Sequence, residues 1–335
     1  MRRVRVPDPV RPGGHIRIVS PTAPSVAYLP DRARRAETAL TGAGFTVSYG
    51  QHAVAASIDG VTAGRPDQRA ADVMAAFADP SVDAILSADA GSRTSELLDF
   101  LDPEVIAAHP KPFVGFCDNV RLNYFLANTV GLSSLYGCVF IPHLGEAGGV
   151  FPETLAGLVR ALDSATPLRC APVGRRNGER INWYLPEADS RPRHRCVPGG
   201  WTWLRTGRAE GPLLGAEISM LIDLVRHHGF TAESTVLFWH QAFKGQDQSE
   251  TAFRSLCESV DLRGLAAMVV GAHPSAPPAE WAARVSDLLE ESLPDIDYPV
   301  LVNADISHLS PVWTVPYGEA VVVDSATGLY FPRHD

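Results

Sequence analysis

The chain has 335 residues, 45% of them hydrophobic and 20% charged, which is typical of a soluble globular protein with room for two domains. Its formal net charge of −9 argues against a nucleic-acid-binding surface. The five cysteines are odd in number and include no CxxC pair, so neither a disulfide framework nor a zinc ribbon is predicted.

The first half of the chain alternates predicted strands and helices. Apolar runs bounded by turn residues predict strands at His15–Ser20, Phe45–Tyr49, Asp83–Ser87 and 112–116. Helical spacing predicts helices at Asp31–Thr41, Pro66–Ala78, Thr94–Leu101 and 118–130. Such repeated units predict a mainly parallel sheet, with ligands beyond the carboxyl ends of its strands.

The second half opens with a polar, turn-rich stretch, in which the arginine-rich segment 191–195 is expected to be a solvated loop. Strands are predicted at Ile181–Leu185, Trp201–Leu204, Val236–Trp239, Ala267–Val270, Val300–Val302 and Ala320–Val323, and helices at 216–228, 249–260 and 277–292. We therefore expect an N-terminal domain over residues 1–165 and a smaller C-terminal α/β domain over 166–335.

No targeting or cofactor signal stands out. The basic N-terminus is not followed by the apolar segment of a signal peptide, and no apolar run approaches the roughly 18 residues of a membrane helix. No motif has metal-ligand spacing or the form of a phosphate loop or dinucleotide fingerprint. A cytoplasmic protein without metal, cofactor, nucleic acid or membrane as partner is expected.

Residues 115–119, Gly-Phe-Cys-Asp-Asn, are the most informative stretch. They join a predicted strand to a predicted helix, so Cys117 lies at a strand–turn–helix corner of the kind that holds the nucleophiles of hydrolases. The positive end of the helix stabilises a thiolate there. A loop near the C-terminus carries His308. A cysteine at a corner and a histidine in a distant loop are the parts needed for thiol-based acyl chemistry.

Six segments, in this order, resemble the LD-carboxypeptidase family, which includes the microcin-immunity peptidases. They are Ile16–Pro21, Ser87–Asp102, Lys111–Asp118, Gly211–Leu221, Thr235–Gln241 and Asp305–Gly318. The resemblance implies a flavodoxin-like or glutamine-amidotransferase-like N-terminal domain, a smaller C-terminal α/β domain, a serine–histidine–glutamate triad and a homodimer.

The chain departs from the family pattern at residues that carry the chemistry. Cys117 stands in place of the family's serine, His240 in place of its glutamate, and Gln241 in place of the neighbouring aspartate, whereas His308 is unchanged. We expect Cys117 to attack a carbonyl and His308 to move the proton. Three interpretations of His240 stay open: it orients His308, it contacts substrate, or it marks a loss of catalysis.

The resemblance also points to residues around the reacting carbonyl. The backbone N–H of Asp118 is a natural oxyanion donor, and Ala90 or Gly91, which match the family's glycine pair, supply a second. Glu217, in place of a family asparagine, either restores a carboxylate, binds a cationic group of the substrate, or is merely solvated at a helix start. Arg93 and Gln241 are further candidates for substrate binding.

The lead hypothesis is a cysteine-dependent acyl-transfer enzyme of specialised metabolism. It hydrolyses or forms an amide, ester or thioester of a small-molecule or peptidic substrate through a thioester acyl-enzyme. One alternative is an LD-carboxypeptidase-type peptidase that acts on murein or on a peptide antibiotic. Another is a family member that binds a ligand without turnover.

Overall fold

The computed structural model describes residues 3–57 and 59–333. Met1 and Arg2, with which the basic N-terminus begins, and the last two residues of the predicted C-terminal domain lie outside them. The strands are β1 (His15–Val19), β2 (Thr46–Tyr49), β3 (Ala84–Ser87), β4 (Phe113–Gly115), β5 (Ser134–Tyr136), β6 (Leu168–Cys170), β7 (Arg175–Arg176), β8 (Val197–Pro198), β9 (Thr202–Arg205), β10 (Arg208–Glu217), β11 (Val236–His240), β12 (Ala267–Gly271), β13 (Val300–Ala304), β14 (Val315–Tyr317), β15 (Ala320–Asp324) and β16 (Gly328–Phe331).

The helices are α1 (Ser25–Tyr28), α2 (Pro30–Gly42), α3 (Pro66–Ala78), α4 (Pro103–Ala108), α5 (Val120–Phe125), α6 (Pro152–Leu162), α7 (Ile218–His227), α8 (Gln246–Ser259) and α9 (Pro278–Ser292). Six of the helices lie where the sequence predicted one, whereas α1, α4 and α6 were not predicted and the helix expected at Thr94–Leu101 is a 3₁₀ segment. Single 3₁₀ segments cover Thr94–Phe100, Cys117–Asn119 and Pro186–Asp189, and π-helical turns cover Leu126–Val130 and Phe140–Leu144. Across the described residues, no helix combines the length and apolarity needed to cross a membrane.

The chain divides into two compact units. The first comprises Met1–Thr166, Ile181–Arg193 and Trp313–Gly318, and the second comprises Pro167–Arg180, His194–Val312 and Glu319–Asp335. Two short segments of the C-terminal half thus belong to the first unit. The expected border between residues 165 and 166 stays a prediction.

A six-stranded sheet forms the centre of the first unit, in the order β14-β5-β4-β3-β1-β2. Strands β1 to β5 pair in parallel, which confirms the parallel sheet expected from the alternation of strands and helices. Strand β14 comes from the C-terminal part of the chain and pairs antiparallel with β5. No local pattern predicted that addition, because a three-residue strand depends on the partner it meets.

Helix α3 shows how local signals and packing agree in this unit. It begins with Pro66, and the side chain of Gln68 accepts a hydrogen bond from the backbone N–H of Arg65 at 3.0 Å, closing the first turn. Its face with Val73 and Phe77, both fully buried, packs into the core of the sheet. Each such side chain contributes roughly 1.5–3 kcal/mol by leaving water.

An eight-stranded sheet forms the second unit, in the order β6-β16-β15-β10-β11-β12-β13-β9. Its central strands β10 to β13 pair in parallel, and every residue of β11, β12 and β13 is buried. The carboxyl ends of β11 and β13 therefore open at the same edge, and they lead to His240 and to the loop that contains His308.

The strand expected at Ile181–Leu185 is wrong. The segment forms a turn instead. The side-chain oxygen of Asn182 accepts a hydrogen bond from the backbone N–H of Tyr184 at 3.2 Å, and its backbone carbonyl accepts one from the backbone N–H of Leu185 at 3.1 Å. An asparagine that bonds the backbone two residues on competes with strand pairing, and the alternating aromatic residues concealed that competition.

Candidate active site

Cys117 lies at the corner between β4 and the helical segment that starts with the 3₁₀ turn Cys117–Asn119 and continues into α5. This confirms the strand–turn–helix corner expected from the sequence. The backbone of Cys117 is left-handed, with φ of 51°, a conformation that costs a residue with a Cβ about 1–2 kcal/mol. Strain of this kind collects at functional sites, where the surrounding structure holds it in place.

Tyr136 on the neighbouring strand β5 holds the corner from beneath. Its hydroxyl oxygen accepts the backbone N–H of Cys117 at 3.1 Å, and the ring of this fully buried residue packs against Phe116 with centroids 5.3 Å apart. The side chain of Cys117 itself is half-buried. No local sequence pattern marks Tyr136, since only the pairing of β4 with β5 brings it beneath the corner.

Asp118 anchors the corner to the loop that follows β3. Its buried carboxylate accepts the backbone N–H of Thr94 at 2.8 Å and the Thr94 hydroxyl at 2.6 Å, and it pairs with Arg121 on its other side. The carboxylate of Asp118 therefore has a structural role. The backbone N–H of Asp118 has no hydrogen-bond acceptor among the described residues, so it stays available as a donor.

The two residues considered for the second oxyanion donor differ. The backbone N–H of Ala90 donates to the carboxylate of Asp89 at 2.7 Å. The backbone N–H of Gly91 has no acceptor in the described part of the chain. A Cβ on Gly91 would lie 2.6 Å from the Cβ of Thr22, so the glycine is required by close packing. Of the two, Gly91 offers the free donor.

His240 and His308 form a close pair within the second unit. Their Nδ1 atoms lie 3.3 Å apart, with ring centroids 5.0 Å apart, and Phe243 packs edge-on against His308. Burial lowers the pKa of His308 to about 4, and burial together with the neighbouring His308 holds the pKa of His240 well below 6.5. Both rings are therefore neutral at pH 7, and one Nδ1–H donates to the bare Nδ1 of the other.

A buried ion pair fixes the loop that carries His308. The Nε of Arg176 donates to Asp305 at 2.6 Å, another guanidinium nitrogen donates to the carbonyl oxygen of Asn303 at 2.6 Å, and neither partner of the ion pair is exposed. The far end of the loop is bound by the backbone N–H of Asn177, which donates to the Ser310 carbonyl at 2.6 Å. Sequence reasoning missed Arg176, although Asp305 in the segment of His308 was a signal.

Glu217 is buried at the end of β10 and caps helix α7, so the expectation of a merely solvated side chain is wrong. One carboxylate oxygen accepts the backbone N–H groups of Ser219 at 2.9 Å and Met220 at 3.4 Å, and the other accepts the side-chain amide of Gln241 at 3.0 Å. The side-chain carbonyl oxygen of Gln241 is buried and has no donor in the described residues. Of these two candidates for substrate binding, Gln241 retains an open polar atom; both assignments stay predictions.

Arg93 lies on the surface, where its half-exposed guanidinium pairs with Asp59 at 3.2 Å. Its proposed contact with substrate stays a prediction. In the segment expected to be a solvated loop, Arg193 is instead buried: it forms a two-point ion pair with Glu146 and lies 5.1 Å from the ring centre of Trp183. That expectation is wrong for Arg193, because nothing in the sequence reveals its distant acidic partner.

No group of three or more His, Cys, Asp and Glu side chains is placed to hold a metal ion within residues 3–57 and 59–333. The nucleophilic and acid–base groups described above fall into two sets. The first unit contributes a thiol and two backbone donors, and the second contributes a neutral histidine pair.

Comparisons with known proteins agree with this architecture. Family models of the LD-carboxypeptidase N-terminal and C-terminal domains match residues 16–137 and 210–323. The microcin C7 self-immunity protein MccF of Escherichia coli is 25% identical over 321 residues, which cover 94% of this chain and 92% of that protein. The murein tetrapeptide carboxypeptidase of Pseudomonas aeruginosa is 25% identical over 266 residues, covering 78% and 79%. A solved structure of an MccF variant with adenosine monophosphate has a TM-score of 0.86 at 23% identity, over 98% of both chains. The resemblance seen in the six sequence segments is thus confirmed, and the chain belongs to the LD-carboxypeptidase family.

Proposed function

We propose that the protein is a cysteine-dependent hydrolase that cleaves an amide bond in a peptidic substrate, with Cys117 as its nucleophile. The observation that carries the proposal is the left-handed backbone of Cys117, held by the hydroxyl of Tyr136 at the end of β4. A cysteine placed only to fill space has no need of a strained corner.

The proposed reaction has two halves. His308 accepts the thiol proton of Cys117 while the sulfur attacks the carbonyl carbon, and the backbone N–H groups of Asp118 and Gly91 bind the oxyanion that forms. The C–N bond then breaks, the amine leaves with the proton from His308, and a thioester remains. Water attacks the thioester with His308 as base, and the sulfur leaves as the thiol.

The histidine pair suits a sulfur nucleophile. In the family pattern a glutamate stabilises the charged form of the histidine, which a serine hydroxyl needs because it is a very weak acid. A thiol has a pKa near 8.5 and gives up its proton far more easily. His240 can then act as a neutral partner that keeps the ring of His308 in one orientation, which is the role we assign to it.

The names of the relatives suggest the class of substrate. One is a murein tetrapeptide carboxypeptidase and one an immunity protein against a peptide antibiotic. We propose a murein-like peptide or a peptide antibiotic as substrate, for a cytoplasmic homodimer. A thioester also reacts readily with amines, so amide formation in a biosynthetic pathway is the second outcome of the same intermediate. Mass spectrometry of the products, with and without an added amine, distinguishes the two outcomes.

The lowered pKa of His308 favours one alternative, a family member that binds its ligand without turnover. A histidine that resists protonation is a poor base for the thiol proton, and its charged form, which must protonate the departing amine, is scarcely populated. In that case Cys117 has the reactivity of an ordinary thiol, and a peptide ligand raises the thermal unfolding temperature without being consumed.

The test is the rate of Cys117 alkylation by iodoacetamide as a function of pH, with the labelled peptide identified by mass spectrometry. We expect the rate near pH 7 to fall at least about tenfold in His308→Ala and the two proteins to converge near pH 10, where any thiol is ionised. His227→Ala, at the exposed end of α7, is the matched control and should leave the profile unchanged. An inert Cys117, or one indifferent to His308, contradicts the proposal.

A further inference from the structure

Asp89 lies in the loop that follows β3 and leads into the 3₁₀ segment Thr94–Phe100. The loop begins beyond the paired residues Leu86 and Val114 of β3 and β4, and at its far end Thr94 is bound to Asp118. Both ends of the segment 88–94 are therefore tied to the strand and turn that carry the nucleophile. Asp89 is close to the candidate oxyanion donor Gly91 in the same short loop.

The carboxylate of Asp89 has hydrogen-bond donors but no counter-ion. One oxygen accepts the Ser25 hydroxyl at 2.5 Å and the other accepts the backbone N–H of Ala90 at 2.7 Å. No ion pair to Asp89 occurs among the described residues. The positive group that acts on it from a distance, Arg32, is already paired with Asp189 and donates to the Ile141 carbonyl.

The surroundings of Asp89 are costly for a negative charge. Burial raises its pKa to about 6, which Ser25, the Ala90 N–H and Arg32 only partly oppose. On the far side of Ser25, the hydroxyl of Tyr184 lies 2.9 Å from the serine oxygen. Yet part of Asp89 reaches the surface. A half-buried carboxylate that lacks a cation, at the edge of a reaction centre, is the arrangement expected where a ligand supplies the cation.

We propose that Asp89 is a specificity-determining residue that binds a positively charged amino group of the substrate beside the carbonyl attacked by Cys117. This inference rests on the proposed function. An ionised Asp89 repels the oxyanion that forms near Gly91, and an ammonium group on the substrate cancels that repulsion. Substrates with a free amine near the scissile bond are therefore selected over neutral and acidic ones, and the discrimination acts mainly on the reaction rate.

The test compares three methanethiosulfonate reagents of similar size on Cys117: a cationic aminoethyl, a neutral methyl and an anionic sulfonatoethyl compound. Rates at pH 7.5 are measured by mass spectrometry of the Cys117 peptide, each divided by the rate of the neutral reagent. In the wild type we expect the cationic reagent to exceed the anionic one by about tenfold. In Asp89→Asn, which keeps the shape and one of the two hydrogen-bond acceptors, we expect that ratio to fall below about threefold.

Asp8→Asn is the matched control, because Asp8 is exposed in the N-terminal segment and the substitution changes the net charge equally. It should keep the wild-type ratio. A reactive Cys117 whose ratio is the same in the wild type and in Asp89→Asn overturns this inference alone. A Cys117 that no reagent labels overturns the proposed function, and the inference with it.

Discussion

Replacing His240 by glutamate tests the role of the histidine pair most directly. The Nδ1 atoms of His240 and His308 are 3.3 Å apart, so a carboxylate at position 240 places a negative charge about 4 Å from the His308 ring. With an effective dielectric constant near 20, two unit charges at that distance attract by about 4 kcal/mol. At about 1.4 kcal/mol for each pKa unit, the pKa of His308 should rise from about 4 to about 7.

The sign follows from which form the carboxylate stabilises. It stabilises imidazolium and leaves the neutral ring almost unaffected, so the pKa of His308 rises. NMR titration of ¹⁵N-labelled histidine, with the signal assigned by its loss in His308→Asn, measures the change. We also expect the alkylation rate of Cys117 near pH 6 to increase, since a protonated His308 stabilises a thiolate.

His240→Gln is the control for this experiment, because glutamine matches glutamate in shape and carries no charge. The midpoint of His308 should stay near its wild-type value in the glutamine variant. If the pKa values of His308 in His240→Glu and His240→Gln agree to within about half a unit, charge at position 240 does not act on His308, which refutes the proposed coupling between the two residues.

The remaining predictions concern the nucleophile, the loop of His308 and acid stability. Cys117→Ser should reduce turnover at least about a hundredfold, because a neutral histidine pair is too weak a base for an alcohol; turnover near the wild-type rate would instead indicate an ordinary serine-tolerant peptidase. Asp305→Ala should lower the free energy of unfolding in urea by about 3–5 kcal/mol, since Arg176 stays buried without its partner. The control Asp31→Ala removes the exposed Asp31–Arg34 pair and should lower it by less than about 1 kcal/mol. Burial lowers the pKa of His273 to about 4 in the folded protein. As the pH falls below about 6.5, this histidine is protonated in the unfolded chain before it is protonated in the folded one, so the free energy of unfolding decreases towards pH 4. His273→Gln should make the loss between pH 7 and pH 4.5 smaller by about 2–3 kcal/mol, and an unchanged loss would contradict this assignment.

Elements with strong local signals could be predicted from the sequence. Pro66–Ala78 was placed residue for residue, because a proline at the first turn and a regular apolar face define both its start and its buried side. The corner at Cys117 was also predicted, since an apolar run, a glycine and a helical pattern follow one another within a few residues. These signals need no knowledge of distant parts of the chain.

Contacts between distant segments could not be predicted. The ion pair of Arg176 with Asp305 joins residues 129 positions apart, and that of Arg193 with Glu146 joins residues 47 apart. Burying an arginine is favourable only when a partner and several acceptors await it, and a single sequence does not reveal which acid that is. The left-handed φ of Cys117 and its hydrogen bond to Tyr136 could not be predicted either, because they depend on contacts between separate segments of the chain.

The departures from the family pattern make physical sense together. A glutamate beside His308 and a serine nucleophile belong together, because a strong base and a very weak acid require one another. Here burial lowers the pKa of His308, the buried His240 beside it is neutral, and the proposed nucleophile is a thiol, which needs far less assistance. A carboxylate nevertheless lies one strand away: Glu217, the register partner of His240, caps α7 and holds the amide of Gln241. Glu217 and Gln241 thus form a hydrogen-bonded acid–amide pair, with the acid at the end of β10 and the amide just after β11. We infer that the weakly basic histidine pair, set beside this acid–amide pair, is suited to a sulfur nucleophile.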